Sequence, residues 1–156
     1  MKAAIGSLLF LWSRLERSLA SALEVLGEPQ SKLAHGPARR IEAWSSRIRC
    51  RSADRPWQAA LCDRMADLLR DALGVRNLVC HGLEGIAAQG HCDQARLTVA
   101  LGENRRVVTW GELQAMFDWM SQADSPISLL TRAALDDDPV RSEQLLLAYK
   151  DFPRLA

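Results

Sequence analysis

An apolar stripe over residues 5–26 limits the fold more than any other feature. Ile5, Leu8, Trp12, Leu15, Leu19, Ala22 and Leu26 follow one another in steps of three and four. That spacing has the period of an α-helix and predicts an amphipathic helix of about six turns. Leu9, Phe10 and Leu11 widen the apolar surface at its start. A helix with more than one apolar face packs on more than one neighbour, and the second neighbour could be a subunit. Gly27 and Pro29 end the helix. Lys2 and the apolar run to Trp12 mimic the opening of a signal peptide, but Arg14, Glu16 and Arg17 stand where a cleavage site is small and neutral. The run is also far short of the roughly 20 residues of a membrane span. The expectation is a cytoplasmic protein with no membrane segment.

The rest of the chain reads as further helices around one hairpin. Residues 31–55 hold six arginines, Arg39, Arg40, Arg47, Arg49, Arg51 and Arg55, against Glu42 and Asp54. Pro37 suits a helix start, and Ile41, Trp44 and Ile48 lie at helical spacing. This predicts a second helix whose basic face is either simply solvated or tracks phosphates. Asp54-Arg55-Pro56 opens a third helix, marked by Trp57, Leu61, Met65, Leu68 and Ala72 and interrupted at Gly74. Gly82, Gly85 and Gly90 predict a loop over 82–94. Ala95, Leu97, Val99 and Leu101 alternate as in a strand, Gly102-Glu103-Asn104 makes a turn, and Val107 to Thr109 is a second strand. Thr109-x-x-Glu112 is a capping box for a fourth helix, from Trp110 to about Ser121. Ser125-Pro126 opens a helical segment that runs to Leu135. Asp136-Asp137-Asp138-Pro139 breaks it, and Leu145 to Tyr149 forms a last short helix.

The fold class is therefore mostly α, an antiparallel up-and-down helical bundle with a small β-hairpin near 95–109. A chain of 156 residues suits one domain. It buries roughly two thirds of its unfolded surface, enough for a core without disulfides or metal. The four cysteines, Cys50, Cys62, Cys80 and Cys92, form no C-x-x-C pair and are expected as reduced thiols. Trp12, Trp44, Trp57, Trp110 and Trp119 read as core or interface anchors. The net charge of +1 argues against a protein that coats DNA and leaves room for a local cationic site.

Chemistry concentrates in Arg76-Asn77-Leu78-Val79-Cys80-His81, followed by Gly82. Leu78, Val79 and Cys80 anchor the segment to a core, while Arg76, Asn77 and His81 are strongly polar. On a helix, Asn77 and His81 share a face. Arg76 lies about 140° round from His81. These residue types suit cleavage of an RNA phosphodiester by attack of the 2′-hydroxyl. Histidine serves as general base or acid near neutrality. Arginine offers a fixed fork of donors to phosphate oxygens. Asparagine holds an oxygen or orients the histidine. No carboxylate pair accompanies the trio, so the chemistry it suggests needs no metal and no other cofactor. One motif supplies one histidine where the reaction needs an acid and a base, and a two-fold dimer would supply both.

The segment is similar to the signature of the HEPN superfamily: Arg, a polar residue, a short spacer, then His. The resemblance covers roughly residues 3–135, and only the motif is specific. It implies a four- to five-helix bundle and a dimeric ribonuclease of toxin–antitoxin or defence type, with Arg76, Asn77 and His81 at a cleft between subunits. RNA substrate, a second copy of the chain and an antitoxin protein are the partners it implies. Position 83 is leucine, so the tyrosine that some such toxins carry two residues after the histidine is absent. A non-catalytic bundle of the same type, serving as an interaction module, is the alternative. A zinc site from Cys80, His81, His91 and Cys92 is disfavoured, because adjacent residues rarely ligate one ion. Glu16 reads as part of a solvated face, or as an acid placed to pair with Arg76.

Overall fold

Helix α1 (Lys2–Val25) forms because its apolar stripe is covered by several other helices. In the computed structural model, which describes residues 2–28, 36–87 and 95–152, Leu8, Trp12, Leu15, Leu19, Ala22, Leu23 and Leu26 are all buried. The helix ends in a Schellman turn. Gly27, at φ 78°, donates to the Glu24 carbonyl, and the Glu28 N–H reaches back to Leu23, both at 3.0 Å. Glycine takes that left-handed conformation without a Cβ clash. Glu28 is then buried and ion-paired to Arg47.

Two long helices follow. Helix α2 (Pro37–Arg51) and helix α3 (Pro56–Gly82) each place proline at the start, where its missing N–H costs no hydrogen bond. Helix α3 runs through Gly74 without a break, which corrects the expected interruption. Gly74 faces solvent and nothing lies within 4 Å of where its Cβ would be. Buried neighbours on both sides, Leu73 and Val75, hold the helix in place.

The sheet is larger than the hairpin expected from sequence. Strands β1 (Leu83–Ala87), β2 (Arg96–Leu101) and β3 (Asn104–Thr109) form an antiparallel sheet in the order β1-β2-β3. Part of the expected 82–94 loop is thus a strand, with an irregularity between Leu83 and Gly85 where the register shifts. β2 and β3 join through a two-residue turn in which Gly102 has φ 61° and no other described non-glycine residue has positive φ. That is the pattern of a type II′ turn, whose twist matches a hairpin. Leu97, Val99 and Val108 turn inward and are buried.

β3 runs directly into helix α4 (Trp110–Gln122). The capping box is present as the sequence predicts. Thr109 accepts from the Glu112 N–H at 3.2 Å, and the Glu112 carboxylate accepts from the Thr109 N–H at 2.7 Å. Those bonds hold the Glu112 carboxyl below its ordinary pKa, the Thr109 backbone contributing most. Helix α5 (Asp124–Leu135) follows, then helix α6 (Pro139–Leu146) and a 3₁₀ turn at Leu147–Tyr149. The last helix therefore starts well before Leu145, because Asp138 caps it by accepting from the N–H groups of Val140 and Arg141.

α1 is the hub, packing against α2, α3, α4 and α5. Trp44 of α2 donates from Nε1 to Thr131 of α5 at 3.1 Å. Asp124 of α5 accepts from Arg14 and from Ser18 of α1. Leu8 and Trp12 lie in this core, and Leu9 and Phe10 stay on the surface. No described helix is long and apolar enough to cross a membrane.

Arg55, between α2 and α3, clamps the far end of α5. Its guanidinium donates to the carbonyls of Ala133 at 2.9 Å and Asp136 at 3.0 Å, and to Ser142 Oγ at 2.9 Å. These serve helix-end carbonyls that have no partner within the helix. Arg55→Met keeps the stem and removes the donors, and should cost about 1–3 kcal/mol, the loss of charged hydrogen bonds to carbonyls that Ser142 still partly serves. A urea midpoint equal to wild type would refute this role.

Candidate functional site

The motif occupies the last two turns of α3, and the sheet fixes where those turns end. A Cβ on Gly82 would lie 2.1 Å from the Ala100 carbonyl oxygen on β2 and 2.7 Å from its carbon. Only glycine lets the helix end meet the strand backbone this closely. The glycine serves the approach of β2, and His81 is thereby held at the junction of helix and sheet.

Helical geometry then spreads the three polar residues. Val79 is buried and anchors the segment. Arg76 and Asn77 are half-buried, and Arg76 donates to Asn77 Oδ1 at 3.0 Å. This bond presents the amide and the guanidinium as one unit. Its Nε is enclosed and has no acceptor among the described residues. Glu16 is not among the partners shown for Arg76, whose described hydrogen bond goes to Asn77. His81 and Cys80 are exposed.

Arg76 and Asn77 line a cleft of about 220 Å³ between α3 and the start of α2. Leu73 completes the α3 wall, and Gly36 to Arg39 form the other. His81 is not part of the lining. In one chain, therefore, the structure brings Arg76 and Asn77 together at the cleft and leaves His81 outside it, about 140° round from Arg76 and one turn beyond Asn77. Arg39 belongs to this cleft, and the sequence reading did not single it out. The signal available was its place in the first turn of a helix that opens with proline and holds no acid there.

Two arginines of the basic run on α2 are ion-paired. Arg47 pairs with Glu28, and Arg49 with Glu42 and Asp63. The Arg49 pairs are exposed and contribute little to stability, whereas the Arg47 pair reaches the buried Glu28 carboxylate. A second groove of about 370 Å³ lies between α1 and α5, lined by Ser18, Ser21, Asp124, Ser128 and Arg132 among others. It holds none of the motif, and the Asp124 carboxylate is already engaged by Arg14 and Ser18.

Cys50, Cys62 and Cys80 are free thiols. Burial pushes the Cys62 thiol up to about 12, with Asp63 adding to the effect. It is a core residue whose thiolate form burial disfavours, whereas Cys50 and Cys80 face solvent. His91 and Cys92 lie outside the described residues, and with them half of the considered zinc set. Among the described residues, no three His, Cys, Asp or Glu side chains converge as metal ligands would. Comparison of the chain with family models, with curated proteins and with solved structures found no match.

Proposed function

We propose that the chain is a metal-independent endoribonuclease of the HEPN type, a toxin or defence enzyme that works as a homodimer. The observation that supports this most is the exposed His81 beside a half-buried Arg76–Asn77 pair that opens onto a cleft. Within one helix the arginine and the histidine diverge by about 140°. A two-fold arrangement of two copies overcomes that divergence by letting the histidine of one face the arginine of the other. In the reaction, one imidazole takes the proton of the ribose 2′-hydroxyl as O2′ bonds to phosphorus. The other gives a proton to the O5′ that departs. Arg76 holds the non-bridging oxygens as charge builds on them. The products are a 2′,3′-cyclic phosphate and a free 5′-hydroxyl. An antitoxin protein that covers the cleft is the inhibitory partner this reading implies. The alternative, a non-catalytic interaction module, draws support from His81 lying outside the cleft.

The dimer is tested through Cys80, the exposed thiol one residue before His81. In a Cys50→Ser/Cys92→Ser background, a short bis-maleimide should join two copies through Cys80. Light scattering should give twice the chain mass at micromolar concentration. A monomer in solution, or a dimer that Cys80 cannot bridge, would count decisively against the composite site.

A further inference from the structure

The cleft beside the motif has two walls, and each carries a guanidinium. Arg76 comes from α3 and Arg39 from the first turn of α2. The other α2 arginines with described ion pairs, Arg47 and Arg49, are engaged with carboxylates. Arg39 is exposed and has no ion pair among the described residues. Among the described residues no carboxylate lines the cleft, so no described group there neutralises the two cations. Asn77 contributes a side-chain amide whose oxygen is taken by Arg76, which leaves its NH₂ to donate. Each polar side chain among the described lining residues thus offers a donor. At about 220 Å³ the space is below the roughly 300–1,000 Å³ of pockets that enclose whole small molecules. It fits an anionic group rather than a base with its sugar.

We propose that Arg39 is a positioning residue that works across this cleft from Arg76, so that the cleft holds a backbone phosphate of single-stranded RNA. The choice of RNA rests on the ribonuclease reading, while the anion site rests on the cleft. Arg39 and Arg76 then grip one phosphate, the one whose non-bridging oxygens Arg76 holds in the reaction, and Arg39 sets its place relative to the His81 of the second copy.

The probe is a fluorescent 2′-O-methyl oligouridine of about twelve nucleotides, which lacks the attacking hydroxyl and so reports binding without cleavage. Anisotropy titrations are run at low and moderate salt. Arg39→Ala should weaken binding roughly tenfold, as expected for a lost hydrogen bond to a charged group. It should also lower the salt slope by about 0.7, the value for one phosphate contact on a single strand. Arg39→Lys should recover most of the affinity and Arg39→Glu should weaken it further. Arg51→Ala, an exposed arginine at the other end of α2, should bind as wild type. Equal binding by Arg39→Ala and wild type would overturn the proposal. So would an equal loss in Arg51→Ala, or no binding by the wild type. Failure of the ribonuclease reading looks different: the wild type binds the probe through Arg39 but leaves unmodified RNA intact. Circular dichroism melts confirm that each variant is folded.

Discussion

His81→Ala should lower the rate of RNA cleavage by about 10²–10⁴-fold, the usual contribution of a general acid or base. It should leave the melting temperature unchanged, because the side chain is exposed. Arg76→Ala should lose a comparable factor through its hold on the phosphate oxygens. It should cost a little stability as well, since Arg76 is half-buried and bonded to Asn77. Asn77→Ala should be milder if it only sets the pose of the guanidinium. Chelation with EDTA should not slow the reaction, since the trio has no carboxylate pair with it, and fragments should end in 2′,3′-cyclic phosphates. If expression arrests growth, His81→Ala and Arg76→Ala should both relieve it. Purified protein that cleaves no RNA, combined with a lower melting temperature for Arg76→Ala, would establish the interaction module instead.

Gly82→Ala should be the most damaging small substitution in the chain. The added methyl would sit 2.1 Å from a backbone oxygen on β2, and neither side can yield by rotating a side chain. The strand must move by about 1 Å, and overpacking of this kind costs about 3 kcal/mol. That is a large share of the 5–15 kcal/mol that typically stabilises a domain. Gly74→Ala, eight residues earlier in the same helix, should go the other way. It adds a methyl in open space and should stabilise by about 0.5–1 kcal/mol. Thermal melts of the two variants decide the matter, and a Gly82→Ala protein as stable as wild type would mean that α3 and β2 do not meet as described.

Local signals were legible in the sequence, and contacts between distant segments were not. The α1 stripe and the Thr109/Glu112 box are encoded within a few residues, so pattern alone finds them. Strand β1 is different. Leu83 to Ala87 are mostly exposed, with a register shift beside Gly85, and the segment shows no alternation because neither face is fully covered. Gly74 reads as a breaker because glycine weakens isolated helices, but tertiary packing of the flanking residues outweighs that cost. Asp138-Pro139 reads as a stop, although an aspartate cap and a first-turn proline equally start a helix. The residue types of the site were plain from Arg76 to His81. Their distribution over two faces, and the presence of Arg39 across the cleft, depend on how α2 lies against α3, which no local pattern encodes.

The central place of α1 has a kinetic consequence. Its carboxylate partner, Asp124, lies 110 residues away from Arg14 and 106 from Ser18. A chain that closes loops of that length gains its reward late. During synthesis α1 is made long before α5, so its apolar stripe waits in water without that neighbour. That interval, rather than the finished molecule, is when the protein is most exposed to self-association and most in need of a chaperone.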